Sequence, residues 1–125
     1  MPFIAETGGQ NCMLADSSAL PEQVVRDVLV SAFQSAGQRC SALRVLFVQQ
    51  DIADRLLAML TGAMAELVVG DPALLKTDVG PVITAESAER IVAMVDAAVA
   101  EGAGLSTGGK IRTDIEGCDG GTFVE

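Results

Sequence analysis

Residues 11–49 read NCMLADSSALPEQVVRDVLVSAFQSAGQRCSALRVLFVQ, and this stretch decides the fold. Asn11–Ala15 is a short apolar run that reads as a buried strand. Asp16-Ser17-Ser18 ends it with side chains able to accept hydrogen bonds from the unpaired first-turn amides of a helix. From about Ala19 to Ala36, the residues Val24, Val25, Val28, Leu29, Ala32, Phe33 and Ala36 recur with helical period and form one apolar face. Pro21 is tolerated in the first turn, where no intrahelical amide is needed, and Gly37 stops the helix. Leu43–Gln49 then reads as a second buried strand, rich in β-branched and apolar residues. Strand, helix and strand in this order predict a crossover unit and parallel pairing.

Outward from this unit the pattern continues. Asp51 is placed to cap a second helix reaching about Val68, with Ile52, Leu56, Leu57, Leu60, Met64 and Leu67 inward. Gly70-Asp71-Pro72 breaks it. Thr84 is placed to cap a third helix through Glu101, with Ile91, Val92, Val95 and Val99 inward and Gly102 at its end. Leu105–Thr107 and Thr122–Val124 read as further strands, separated by a Gly-rich loop. The fold class expected is α/β with a largely parallel sheet. The chain starts close to a Gly-Gly loop and stops on Thr122-Phe123-Val124-Glu125, the beginning of a strand. Both ends are expected to be cuts in something larger.

Composition removes several functions. A chain of 125 residues has room for one domain, and 50% hydrophobic residues argue for a packed core. With four Phe and no Trp or Tyr, that core must be built from aliphatic side chains and Met. No histidine is present, so Ser-His-Asp and Cys-His pairs and imidazole metal sites are excluded within this chain. A net charge of −9 is the wrong sign for an autonomous nucleic-acid binder. No apolar run approaches the ~20 residues of a membrane-spanning helix. Cys12, Cys40 and Cys118 match neither a disulfide framework nor zinc-ligand spacing, so free thiols in a reducing, cytoplasmic compartment are expected. The apolar helical faces point to a homo-oligomer.

Two residues could carry chemistry. Cys40 follows Gly37-Gln38-Arg39 just past a helix end and precedes a strand. A thiol becomes a nucleophile when it is accessible and nearby cations or amides stabilise its thiolate; Arg39 and the turn amides could help supply that. By spacing alone an inert buried thiol is the commoner outcome. Glu6 precedes Thr7-Gly8-Gly9, a turn whose glycines let backbone approach a ligand closely. A carboxylate there could act as general base, although an exposed terminal glutamate is the commoner case. Gly8-Gly9 is far weaker than a full dinucleotide fingerprint. Cys12 reads as core and Cys118 as an exposed loop residue.

Residues 5–46, AETGGQNCMLADSSALPEQVVRDVLVSAFQSAGQRCSALRVL, resemble the catalytic region of the NAD-dependent aldehyde dehydrogenases. Glu6-Thr7-Gly8-Gly9 resembles the family's general-base segment. Gly37-Gln38-Arg39-Cys40 resembles its nucleophile segment, in the right order and at the right spacing. Gln10-Asn11, Ser41, Gly70-Asp71-Pro72 and Thr77-Asp78-Val79-Gly80-Pro81 are similar to the proline-catabolic branch, nearest to the C-terminal half of bifunctional proline utilization A flavoproteins.

The resemblance implies a Rossmann-like, three-layer catalytic domain, of which residues 1–125 would be a part. The nucleotide-binding domain and the C-terminal remainder are absent from the chain, as is the upstream asparagine that completes the oxyanion hole. It implies NAD-dependent oxidation of L-glutamate γ-semialdehyde to glutamate, with Cys40 as nucleophile and Glu6 as base. The Cys40 amide would form half of the oxyanion hole. Ser41 would lie beside the substrate, Phe33 would wall the aldehyde channel, and the backbone of Thr7 and Gly8 would approach the nicotinamide. FAD would belong to a separate proline dehydrogenase region if the parent is bifunctional. The isolated chain is expected to be inactive and not to bind NAD usefully. Two other readings remain open: an aldehyde dehydrogenase of different specificity, and a non-catalytic α/β assembly module.

Overall fold

Strand β1 (Cys12–Ala15) pairs in parallel with strand β2 (Val45–Val48), Cys12 standing opposite Val45 and Ala15 opposite Val48. Between them runs helix α1 (Pro21–Phe33), giving the crossover unit predicted from residues 11–49. Alternation along the two strands separates their faces. Met13, Ala15, Leu46 and Val48 are buried or half-buried, whereas Cys12, Leu14, Val45 and Phe47 are exposed. Val25 and Val28 are the buried residues of α1, with Ala42 and Leu43 adding to the core ahead of β2. The computed structural model describes residues 2–4 and 8–125, and the chain divides into two units, Met1–Leu60 and Thr61–Glu125.

The start of α1 departs from expectation. Asp16 does not cap it: its carboxylate accepts from the Ser18 backbone N–H at 2.8 Å and from the Ser18 hydroxyl, closing a local turn. These bonds hold the Asp16 carboxyl below its ordinary pKa. The N-cap position falls on Leu20, which offers no side-chain acceptor, and Pro21 opens the helix. The helix also ends early, at Phe33. Ser35 (φ 57°), Ala36 (φ 52°) and Gly37 (φ 67°) are then three successive left-handed residues. That region is natural for glycine and strained for the other two.

Helix α2 (Gln50–Ala65) begins one residue before Asp51, which therefore lies inside the first turn and accepts from the Gln49 side chain. Leu56 is almost fully buried, but Leu57, expected inward, is 55% exposed. Two leucines in succession on a helix are turned about 100° apart, so one face cannot take both fully.

In the second unit, Val69 and Val79 form a parallel bridge, and the Asp78 carboxylate accepts from the Val68 N–H at 2.8 Å. Helix α3 (Ala85–Ala100) is capped as expected: the Thr84 hydroxyl accepts from the Ser87 N–H at 3.1 Å. Ala88 is its buried residue, while Val99, expected inward, is 44% exposed. No strand forms at Leu105–Thr107. Instead β3 (Ile111–Arg112) pairs antiparallel with β4 (Phe123–Val124), and α3 lies against both. Phe123 is buried, and Thr122 is tied to Val82 by two bonds of 2.8 Å, one from its hydroxyl to the Val82 carbonyl and one from the Val82 N–H.

Candidate active site

The Cys40 turn is built from the end of α1, the residues after it and the head of β1. The α1 end leaves carbonyls without intrahelical donors. Arg39 folds back onto them, its Nη2 donating to the Val30 carbonyl at 2.8 Å and the Ser31 carbonyl at 3.1 Å. The guanidinium expected to help stabilise the thiolate is thus committed to the helix end. Its Nε is buried and meets no hydrogen-bond partner among the described residues. Arg44 donates to the Gly37 carbonyl at 2.9 Å, and the Ala42 N–H to the Arg39 carbonyl at 3.1 Å. The Leu43 N–H is shared between the Ser31 carbonyl and hydroxyl.

The head of β1 closes the turn from the other side. Asn11 Nδ2 donates to the Cys40 carbonyl at 2.7 Å and to the Ala42 carbonyl at 2.9 Å. Its own carbonyl accepts from the Arg44 and Val45 N–H groups. Gly9 lies close by: a Cβ there would sit 3.3 Å from Asn11 Oδ1 and 3.7 Å from the Cys40 carbonyl oxygen. This clamp was not foreseen from the sequence, where Asn11 read as part of an apolar strand. A polar side chain at the very head of that run was the available signal.

The candidate residues fall as follows. Cys40 is exposed, at the tip of a turn held by Arg39, Asn11 and the Ser31–Leu43 bonds. Ser41, next in the chain, is exposed too. Phe33 is half-buried as the last residue of α1. Gly8 is exposed, and among the described residues a Cβ there would meet nothing within 4 Å. Glu6 and Thr7 lie outside the described residues.

The other two thiols exchange their expected places. Cys12, read as core, is exposed, because β1 turns its Cys12–Leu14 face outward. Cys118, read as exposed, is half-buried. Burial first, then the Asp71 and Asp119 carboxylates, push its thiol pKa above the ordinary value. Among the described residues no group of three His, Cys, Asp or Glu is placed to hold a metal ion, and no helix is long and apolar enough to cross a membrane.

Known proteins are similar to this chain in sequence and fold. The bifunctional protein PutA of Salmonella typhimurium is 53% identical over 125 residues, covering 99% of this chain and 10% of that protein. A crystal structure of a variant of Bradyrhizobium japonicum proline utilization A (PutA) matches with TM-score 0.77 and 56% identity, over 79% of this chain and 10% of that one. The betaine aldehyde dehydrogenase of Staphylococcus aureus, solved in complex with NAD+, matches with TM-score 0.83 and 34% identity, over 86% of this chain and 21% of that one. The chain therefore has the α/β fold of aldehyde dehydrogenase catalytic domains, and it spans about a tenth of the length of the PutA proteins it matches. The aldehyde dehydrogenase family model matches residues 1–125, and the chain belongs to that family.

Proposed function

We propose that residues 1–125 form part of the catalytic domain of an enzyme that oxidises L-glutamate γ-semialdehyde to glutamate in proline catabolism, with NAD as hydride acceptor. The observation that carries this reading is the exposed Cys40 at the tip of a turn held by Asn11, Arg39 and Ser31. Catalysis by a thiol requires a reachable sulfur in a fixed geometry. The choice of aldehyde rests on the 53% identity to a PutA protein against 34% to a betaine aldehyde dehydrogenase.

NAD, when bound, accepts a hydride from the substrate carbon. The exposed Gly8 fits the approach of a flat ring to its backbone, with Thr7 beside it in sequence; the rest of the nucleotide needs residues beyond this chain. The chain's own residues do the covalent work. Cys40 Sγ adds to the aldehyde carbon, and the Cys40 amide stabilises the oxyanion of the thiohemiacetal. Once the hydride has left, the substrate is a thioester on Cys40. Glu6 takes a proton from water as its oxygen attacks the thioester carbon, and the C–S bond breaks to release glutamate and the Cys40 thiolate. Ser41 contacts the substrate, and Phe33 walls its channel. Three free thiols fit a reducing cytoplasm, and the exposed apolar helix residues Val30, Met94 and Val99 fit assembly as a homo-oligomer. A flavin would serve only a separate proline dehydrogenase region.

The test is Glu6→Gln in the full-length enzyme. The expected result is a burst of NADH followed by slow turnover, because thioester hydrolysis becomes limiting. An unchanged steady-state rate overturns the base role. Preference for an uncharged aliphatic aldehyde over the semialdehyde would overturn the substrate assignment.

A further inference from the structure

We infer that Asn11 is a positioning residue for the Cys40 nucleophile, acting through the backbone of the turn that carries the thiol. Cys40 lies 29 residues away in sequence, yet one amide group of Asn11 binds the carbonyl of Cys40 and that of Ala42, on either side of Ser41. A single NH2 carries two hydrogens, and both are used, so the group is saturated by this turn. The Asn11 carbonyl meanwhile accepts from Arg44 and Val45, which lead into β2. One residue thus holds the turn at its tip and at its exit.

Cys40 and Ser41 are exposed, so no packing of their side chains fixes them. Arg39 and Leu43 anchor the two shoulders of the turn to the end of α1. The peptide before Cys40 is held where the Ala42 N–H donates to the Arg39 carbonyl at 3.1 Å, and neither anchor reaches the Cys40 carbonyl. The carbonyl bond from Asn11 is what orients the plane between Cys40 and Ser41, and with it the direction of the Cys40 Cα–Cβ bond. Gly9 supports the clamp: a Cβ there would press on Asn11 Oδ1 at 3.3 Å.

This inference rests on Cys40 being the nucleophile, and the experiment separates the two claims. Asn11→Asp keeps the shape and replaces both donated hydrogens with an acceptor oxygen; Asn11→Ala removes the group. In the full-length enzyme both variants are expected to lower kcat about ten- to a hundredfold while KM for NAD stays within about twofold. Iodoacetamide labelling followed by peptide mapping should show a changed rate at Cys40 and an unchanged rate at Cys118. Unchanged kcat in both variants, alongside an inactive Cys40→Ala, overturns the positioning role alone. Equal acceleration of labelling at Cys40, Cys12 and Cys118, with a lowered Tm, also overturns it, because Asn11 would then only hold the scaffold together. Full turnover in Cys40→Ala removes the nucleophile reading and this inference with it.

Discussion

The turns holding Cys40 and Cys118 are both short, glycine-bearing and next to charged residues, yet they present their thiols differently. Around Cys40 the cations are spent on backbone: Arg39 on the α1 carbonyls and Arg44 on Gly37. The sulfur-bearing residue is left exposed and its peptide is clamped by Asn11. Around Cys118 the neighbours are acidic, the residue is half-buried, and the turn is closed by backbone bonds, from Cys118 to Ile115 and from Gly121 to Cys118. A thiol's chemistry is therefore set by what its surroundings do with charge and hydrogen bonds, not by the local count of glycines and charges.

The largest effect should separate the two thiols outright. In the full-length enzyme, Cys40→Ala is expected to lower kcat at least about a thousandfold, whereas Cys118→Ala stays within about twofold. Comparable losses in steady-state NADH formation would erase the distinction.

The glycines of the two turns come next. Gly37 has φ +67°, and an added Cβ would meet the Ala32 carbonyl oxygen at 2.8 Å; Gly117 has φ +75° but open space around it. Gly37→Ala should therefore cost about 3 kcal/mol, strain plus a backbone clash, and Gly117→Ala about 1 kcal/mol, strain alone. Urea unfolding with a fitted slope measures both, and equal losses would mean that the Ala32 contact relaxes freely.

A smaller contrast sets the helix of each unit against the other. Thr84→Ala removes the cap of α3 and should cost about 1 kcal/mol, while Leu20→Ser supplies α1 with an acceptor it lacks and should add up to about 1 kcal/mol. Thermal unfolding decides it; a neutral Leu20→Ser would show that Pro21 alone sets the start of α1.

The smallest effect is electrostatic. Because the folded Cys118 thiol deprotonates at higher pH than an unfolded one, its contribution favours folding below the ordinary thiol pKa and is lost as pH rises toward the folded value. Its alkylation should lag that of an unfolded thiol between pH 7 and pH 9, a window bracketing the ordinary Cys value of about 8.5. Asp119→Asn should narrow the gap. A rate equal to that of the denatured protein would show that burial and the two carboxylates do not act on this thiol.

Much of the first unit was legible in order and type. The apolar runs at 11–15 and 43–49 contain β1 and β2, and the period between them contains α1, because burial of one face writes itself into spacing. Thr84 announced α3 for an equally local reason, a hydroxyl one residue ahead of a helical period. The antiparallel pair Ile111–Arg112 and Phe123–Val124 was half missed, since two-residue strands carry too little pattern to read. The misreadings of Leu57, Cys12 and Cys118 share one cause. Each depends on which face of an element is covered, and that is a property of the neighbours.

By itself the sequence determined the element order from β1 to α3, the family and the two segments that bear Cys40 and Glu6, because covalent spacing and side-chain chemistry are local. Only the tertiary structure decided that Arg39 serves the helix end and that Asn11 holds the Cys40 peptide. It also decided which of the three thiols is open at the tip of a clamped turn. A hydrogen bond across 29 residues has no signature in either partner's neighbourhood; it exists only once β1 and the Cys40 turn have been brought together by the crossover that α1 makes between the strands.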